Sequence, residues 1–439
     1  MRLLAALLLV GCYSPSVPQG LPCSDAGRCP EGQECMPDGI CREVGQDGAP
    51  GPDAACAPAS RLVQEGDTIA RDTPAANDSQ GIAMARSGPW LALGMPRNSA
   101  IEADAGAVVM FELVSGTWTE RDILTASDGA AGDKFGESVA LDGGVLVVGA
   151  PVAGDADQGA AYVFHEDGGT WTEVAILSSN TGLAGDRFGK AVAVRGDHAA
   201  VGAPSEGDGT GALYLFQRDG EAWPANGDFV PSDQTAEFGA ALAMNDDFLA
   251  VGSPGDDDRG DTSGSVFLLA RDGEAWVSGG KVLASDGVEF DNFGFSVDLS
   301  ADRLAVGAYQ RQDRGAVYVY TRSGADFGDE ELLVGAETSA ADQLGYAVTI
   351  DGDLVAAGAT ADDDVANSAG TVIVFGRDGD GWAEGPTVTN EAGGEFDLFG
   401  FTVDLAGEEL LVGAPLAEED PGAGPQNTGE VHVISLPCP

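Results

Sequence analysis

Six aspartates recur at one position of a repeated segment. Asp78, Asp133, Asp186, Asp291, Asp342 and Asp397 each stand two residues before a Phe-Gly, Leu-Gly or Gln-Gly pair. A carboxylate held in register can do two things. It can accept backbone N–H groups and cap a turn, or several can share an axis and hold calcium or another divalent cation weakly in a ring of oxygens. Only the copy at Phe238 lacks the aspartate, with Ala236 and Glu237 in its place. Further acids cluster at Asp155 and Asp157, Glu206 and Asp208, Asp256 to Asp258, Asp362 to Asp364, and Glu418 to Asp420. With 72 Asp and Glu in 439 residues, neighbouring carboxylates carry no catalytic meaning by themselves. His165, His198 and His432 fall at unlike positions of the repeat, and no G-x-S-x-G, H-E-x-x-H or phosphate-loop pattern occurs. Neither an enzyme nor a resident cofactor is expected, and no metal ligands can be assigned beyond the candidate ring.

The seven cysteines suggest covalent chemistry instead. Arg2 and the apolar run from Leu3 to Val10 read as the start of a secretory signal, 1–11. The stretch Leu9-Val10-Gly11-Cys12 resembles the bacterial lipoprotein signal. That resemblance implies a lipid on Cys12, a tether over 12–22 and residence in the bacterial envelope. Tyr13 in place of Asp favours the outer membrane or cell surface. Cys23, Cys29, Cys35 and Cys41 follow a C-x5-C ladder among Gly, Pro and Asp, a 23–41 module too small to hold a core without bridges. This is not the spacing of a zinc ribbon. Three pairings are open to four cysteines. After a Gly/Pro linker over 42–55, Cys56 and Cys438 bracket the remaining domain, 56–439, and are expected to bond to each other.

That domain is built from self-similar units. The pattern F-G-x-x-V…h-h-V-G-A-P appears as FGESVALDGGVLVVGAP from Phe135, FGKAVAVRGDHAAVGAP from Phe188 and FGAALAMNDDFLAVGSP from Phe238. It continues as FGFSVDLSADRLAVGAY from Phe293, LGYAVTIDGDLVAAGAT from Leu344 and FGFTVDLAGEELLVGAP from Phe399, with a degenerate copy from Gln80. A spacing of 50 to 55 residues suits a four-stranded propeller blade. Strand one opens on the Phe-Gly pair and ends in turn pairs such as Asp142-Gly143 and Gly196-Asp197. Strand two, as in LVVGAP, is apolar throughout and reads as buried on both faces. Strand three reads GxxYVF, as in Gly159 to Phe164. An outer strand follows, usually opened by a tryptophan: Trp118, Trp171, Trp223, Trp276 or Trp382. The motif glycines fit where strands crowd the axis and no side chain can enter.

The FG…GAP pairs resemble the FG-GAP repeats of integrin α-subunit propellers and their bacterial relatives, over about residues 61 to 437. The resemblance implies an all-β fold, a seven-bladed propeller of four-stranded blades, here preceded by the small disulfide-rich module. The last unit stops after GEVHVIS, so a strand near Arg61 to Gln64 is expected to complete it, bringing Cys56 beside Cys438. Integrin-type units often carry a DxDxDGxxD calcium loop between the first two strands; the turns here are too short to wrap that ion.

Alternation along the strands puts the long acidic loops on one face and the tight hairpins on the other. A net charge of −51, with only three lysines (Lys134, Lys190 and Lys281), argues against nucleic acid or an anionic bilayer as partner. Arg259-Gly260-Asp261 in a long loop reads as a chance tripeptide. The expectation is a monomeric, lipid-anchored binding or adhesion module that recognises a protein or glycan through the long-loop face. An envelope scaffold and a carbohydrate-active enzyme are the alternatives.

Overall fold

The computed structural model describes residues 33–35, 41–43 and 63–437, apart from 180–181, 232–235, 325, 337, 380, 391–393 and 418–426. The chain divides into two compact units, Met1–Cys56 and Ala57–Pro439. In the first, Gln33–Cys35 and Cys41–Glu43 pair antiparallel, and the backbone register sets Cys35 opposite Cys41. Cys12, Cys23, Cys29, Cys56 and Cys438 lie outside the described residues.

The second unit is a ring of seven four-stranded antiparallel sheets. Its inner strands are Ala83–Ser87, Ser138–Asp142, Ala191–Arg195, Ala241–Met244, Ser296–Leu299, Leu344–Asp351 and Thr402–Ala406. Each neighbours the next, and the seventh returns to the first. Blade two shows the plan: Ser138–Asp142, Val145–Ala150, Ala160–Asp167 and Thr170–Leu177 lie side by side in chain order. In blade seven the fourth strand is Gln64–Ile69, paired with Glu430–Ser435, so an N-terminal strand does complete the last blade. It starts later than Arg61. The Gly66-Asp67 pair that looks like a turn is absorbed by a register shift between Glu65 and Thr68, and Ile69 is the residue that enters the core.

Second strands such as Trp90–Met95, Val145–Ala150 and His198–Ala203 are buried along their whole length. The reason is that each apolar cluster straddles two blades. Val108 and Met110 of blade one pack with Phe135, Val148 and Tyr162 at blade two. Outer-strand tryptophans reach back to the preceding blade. Trp171 meets Trp90 edge-on at 5.5 Å, Trp223 meets His165 at 6.2 Å, and Trp276 meets His198 at 5.9 Å. Two of the three histidines are thereby packing partners, and burial lowers the pKa of both.

Only in the sixth unit, where Leu344-Gly345 begins Leu344–Asp351, does the pair open strand one as the sequence suggested; elsewhere the Phe-Gly pair lies before that strand. It bridges in parallel to the glycine that precedes the third strand of the previous blade, as in Gly106 with Phe135 and Gly211 with Phe238. Crowding at the motif glycines is between blades as well as toward the axis. A Cβ on Gly202 would lie 2.9 Å from the carbonyl carbon of Gly239 and 3.1 Å from its Cα, with the carbonyl oxygen nearer still. FG and GAP thus mark the two sides of one backbone-to-backbone contact.

Candidate functional site

All six aspartates of the series are buried. Each accepts the backbone N–H of the residue three positions earlier: Ala75 to Asp78 at 2.9 Å, Ala130 to Asp133 at 2.7 Å, Leu183 to Asp186 at 2.5 Å, and Val288 to Asp291 at 2.9 Å. Ser339 serves Asp342, and Gly394 serves Asp397. Asp78 also takes Arg71 Nη1 at 2.7 Å and Asn98 Nδ2 at 2.8 Å. Burial raises the pKa of Asp133, Asp291 and Asp397, against the lowering by those turn N–H groups. Among the described residues no group of three or more Asp, Glu, His or Cys stands close enough to hold a metal ion. Where the aspartate is missing, the Ser253 hydroxyl donates to Ala236 O at 2.8 Å, a different bond from the turn N–H that the aspartates accept.

The acidic loops divide in two. Asp256 and Asp362 turn inward, Asp256 onto Ser265 at 2.7 Å and onto Lys281, and Glu206 accepts the Tyr214 hydroxyl at 2.9 Å. Asp157, Asp208, Asp257, Asp258, Asp363 and Asp364 are exposed. Exposure does not make all of these free: Asp258 pairs with Lys281 at 2.7 Å and Asp257 accepts the Thr262 N–H at 2.8 Å, so much of the long-loop charge is architecture and the exposed carboxylates form a rim around it. Asp155 and Glu418 to Asp420 lie outside the residues whose side chains are described.

Inner strands run from the long-loop face toward the hairpin face, so their first residues line the axial opening on the long-loop side. That opening encloses about 630 Å³. The residue after each FG-type glycine contributes one side chain per blade: Ile82, Glu137, Lys190 and Ala240 on one arc, Phe295, Tyr346 and Phe401 on the other. Arg97, Lys134, Arg187 and Glu237 join the first arc. Lys190 Nζ pairs with Glu137 at 2.8 Å, whereas Arg97, Lys134 and Arg187 make no ion pair among the described residues. On the second arc the rings form a wall, Phe295 to Tyr309 at 4.4 Å, Phe295 to Tyr346 at 5.0 Å and Tyr346 to Phe401 at 5.1 Å. Burial raises the pKa of both tyrosines, whose hydroxyls stay neutral donors and acceptors. Two of the three lysines thus stand with two arginines at one opening, a basic patch that the overall charge conceals.

The opposite opening, about 680 Å³, is lined by Arg86, Asp142, Arg195, Asp298, Asp351 and Asp404 among others. Its charges are already engaged: Arg86 pairs with Asp404 at 2.6 Å and Glu409 at 2.7 Å, and Arg195 with Asp246 at 2.8 Å. Asp298 accepts the N–H groups of Ile350 and Leu299, each at 2.8 Å, and burial pushes its carboxyl up to about 6.

A closed ring whose blades touch through paired glycines defines a repeat β-propeller, a scaffold that fits a binding or adhesion role. The FG-GAP repeat profile matches residues 118–164, 171–216, 223–269, 276–320 and 327–375, and the chain belongs to the FG-GAP repeat family. Each match begins in or just before an outer strand and ends in the third strand of the next blade, so the sequence repeat and the blade are out of phase by one strand. The chain is also similar to integrin alpha-M of Mus musculus, 32% identical over 143 residues, or 29% of this chain and 12% of the integrin. It spans only a small part of that relative's length.

Proposed function

We propose that this chain is an exported, lipid-anchored binding propeller of the bacterial envelope that takes a protein or glycan partner on its long-loop face and performs no chemistry on it. The observation carrying this reading is the contrast between the two faces of the repeat. Buried positions repeat from blade to blade, whereas the side chains at the long-loop opening change from charged to aromatic around the ring. Concave, partly apolar openings with a few convergent polar groups are where small ligands and anchoring side chains bind. The anchor at Cys12, bridges among Cys23, Cys29, Cys35 and Cys41, and a Cys56–Cys438 bond belong to the same proposal and rest on the sequence pattern. The six aspartates serve their own turns in this reading, and binding needs no cation.

A glycan array and a pull-down from envelope extract test it, with wild type beside a variant carrying Asp257→Asn, Asp258→Asn, Asp363→Asn and Asp364→Asn. Capture that differs between wild type and the rim variant is expected. Absence of any captured partner would sink the reading, and turnover of a glycan would replace it with the enzyme alternative.

A further inference from the structure

We propose that the axial opening on the long-loop face binds the terminal sugar acid of a glycan, its pyranose ring against the aromatic arc and its carboxylate on the cationic arc. This rests on the long-loop face being the binding face and names the ligand class.

Charge is the first observation. In a chain of net charge −51, cations such as Arg71, Arg86, Arg195, Lys281, Arg303 and Arg311 are spent on neighbouring carboxylates. Arg97, Lys134 and Arg187 are not, and all three converge on the same 630 Å³ concavity. Lys134 is half-buried, and Arg97 and Arg187 stand exposed at the mouth, so the three together draw an anion toward the concavity. Lys134 and Arg187 occupy equivalent places, immediately before the Phe-Gly pair, with φ of 58° each. The corresponding residues of the other blades share that conformation, among them Ser79, Glu237 and Leu398. The turn is a property of the fold; the cations are a choice made at two blades.

The second observation is the opposite arc. Phe295, Tyr346 and Phe401 are half-buried and in contact, so part of each ring remains open to the cavity. Tyr309 joins them from the position where five of the other units carry the proline of GAP. A wall of aromatic faces accepts the C–H face of a pyranose, and the tyrosine hydroxyls and Glu237 supply donors and acceptors for its hydroxyl groups. The third observation sets the charge of the ligand. The exposed rim aspartates repel a polyanion on approach, whereas a single carboxylate passes within a screening length of about 8 Å of the cations at physiological salt. A neutral sugar would leave those cations without a counter-charge.

Titration calorimetry on the full chain, with a glucuronic-acid-terminated disaccharide and sialyllactose against their neutral counterparts, tests the assignment. Binding of an acid-terminated sugar is expected, with the neutral sugar at least tenfold weaker. The double variant Lys134→Ala/Arg187→Ala is expected to lose at least tenfold while melting like wild type, and Tyr346→Ala to weaken acid and neutral sugars alike. Equal binding of acid and neutral sugars, or acid binding that survives the double variant, overturns the proposal. So does a poly-glutamate peptide that binds the opening where both sugar acids fail. If neither sugar acid binds but the rim variant still changes partner capture, the opening is wrongly assigned while the binding face stands.

Discussion

Replacing Gly202 by alanine probes the contact that joins the blades. The new methyl would sit 2.9 Å from the Gly239 carbonyl carbon and 3.1 Å from its Cα, where carbon atoms rest at about 3.5–4.0 Å. Both sides of the contact are backbone, so no side chain can rotate away. The backbones must part by roughly half an ångström or more. That shift stretches Gly239 N–H to Gly252 O, now 3.0 Å, and Phe238 N–H to Thr210 O, now 3.1 Å. Each hydrogen bond contributes about 1 kcal/mol net. It also displaces Phe238, which is fully buried, at the roughly 1–3 kcal/mol typical of overpacking. The expected loss is about 3–5 kcal/mol, a large part of the roughly 5–15 kcal/mol that holds a domain together. Gly196→Ala is the control: φ is +57° and no atom lies within 4 Å, so its cost is limited to the roughly 1–2 kcal/mol of a left-handed alanine. Urea unfolding followed by tryptophan fluorescence and circular dichroism compares the two. If Gly202→Ala loses no more than Gly196→Ala, inter-blade contact is not why the motif keeps its glycines.

Three further outcomes are expected. Asp298 has a folded pKa near 6 against 3.8 unfolded, so its protonated form adds stability that is complete below about pH 4 and lost as pH rises through 6. Relative to Asp298→Asn, the wild type should therefore lose up to about 3 kcal/mol between pH 4 and pH 7, read from urea midpoints across that range; a flat difference refutes the shift. Trp171→Ala removes a buried ring seated on Trp90 of the neighbouring blade and should cost about 3 kcal/mol, with Trp90→Ala/Trp171→Ala costing less than the two single changes together. Asp186→Ala leaves the Leu183 N–H without its acceptor and should cost about 1–3 kcal/mol in calcium and in EDTA alike, whereas a cation ring would make the loss depend on calcium.

The ring was legible in the sequence because its contacts admit few residue types. Gly202 against Gly239 leaves no room for a side chain, and that demand returns in every blade, printing a period on the chain. The start of strand one was misplaced because Phe135-Gly136 looks like the head of an alternating strand. Its glycine instead carries φ of 92°, and the pair belongs to the joint with the blade before. The aspartate series was legible as turn caps for the same reason as the glycines: one local geometry is repeated. The axial opening was hidden by the opposite circumstance. Glu137, Lys190, Phe295, Tyr346 and Phe401 occupy one column of the repeat about 50 residues apart, and the column matters through what changes in it. Laying the units over one another and asking where they differ, instead of where they agree, would have found it. Tyr309 gave a second signal by standing where a proline was due.

The strand Gln64–Ile69 and its partner Glu430–Ser435 also set an order of events in the life of the chain. A ribosome makes the first hundreds of residues before it makes the partner, so this strand has no sheet to join until Glu430–Ser435 emerges. Until then the ring has two unpaired edges, the waiting strand and the free side of Glu409–Ala414. Both edges are partners of the same missing strand, each antiparallel to it, and stay open to pairing with other chains until it arrives. Chains ending before Glu430 should therefore scatter light as dimers and longer species, whereas full-length chains seal their own ring. Closure of the last blade therefore waits on Glu430–Ser435, whatever the order in which the other six blades form.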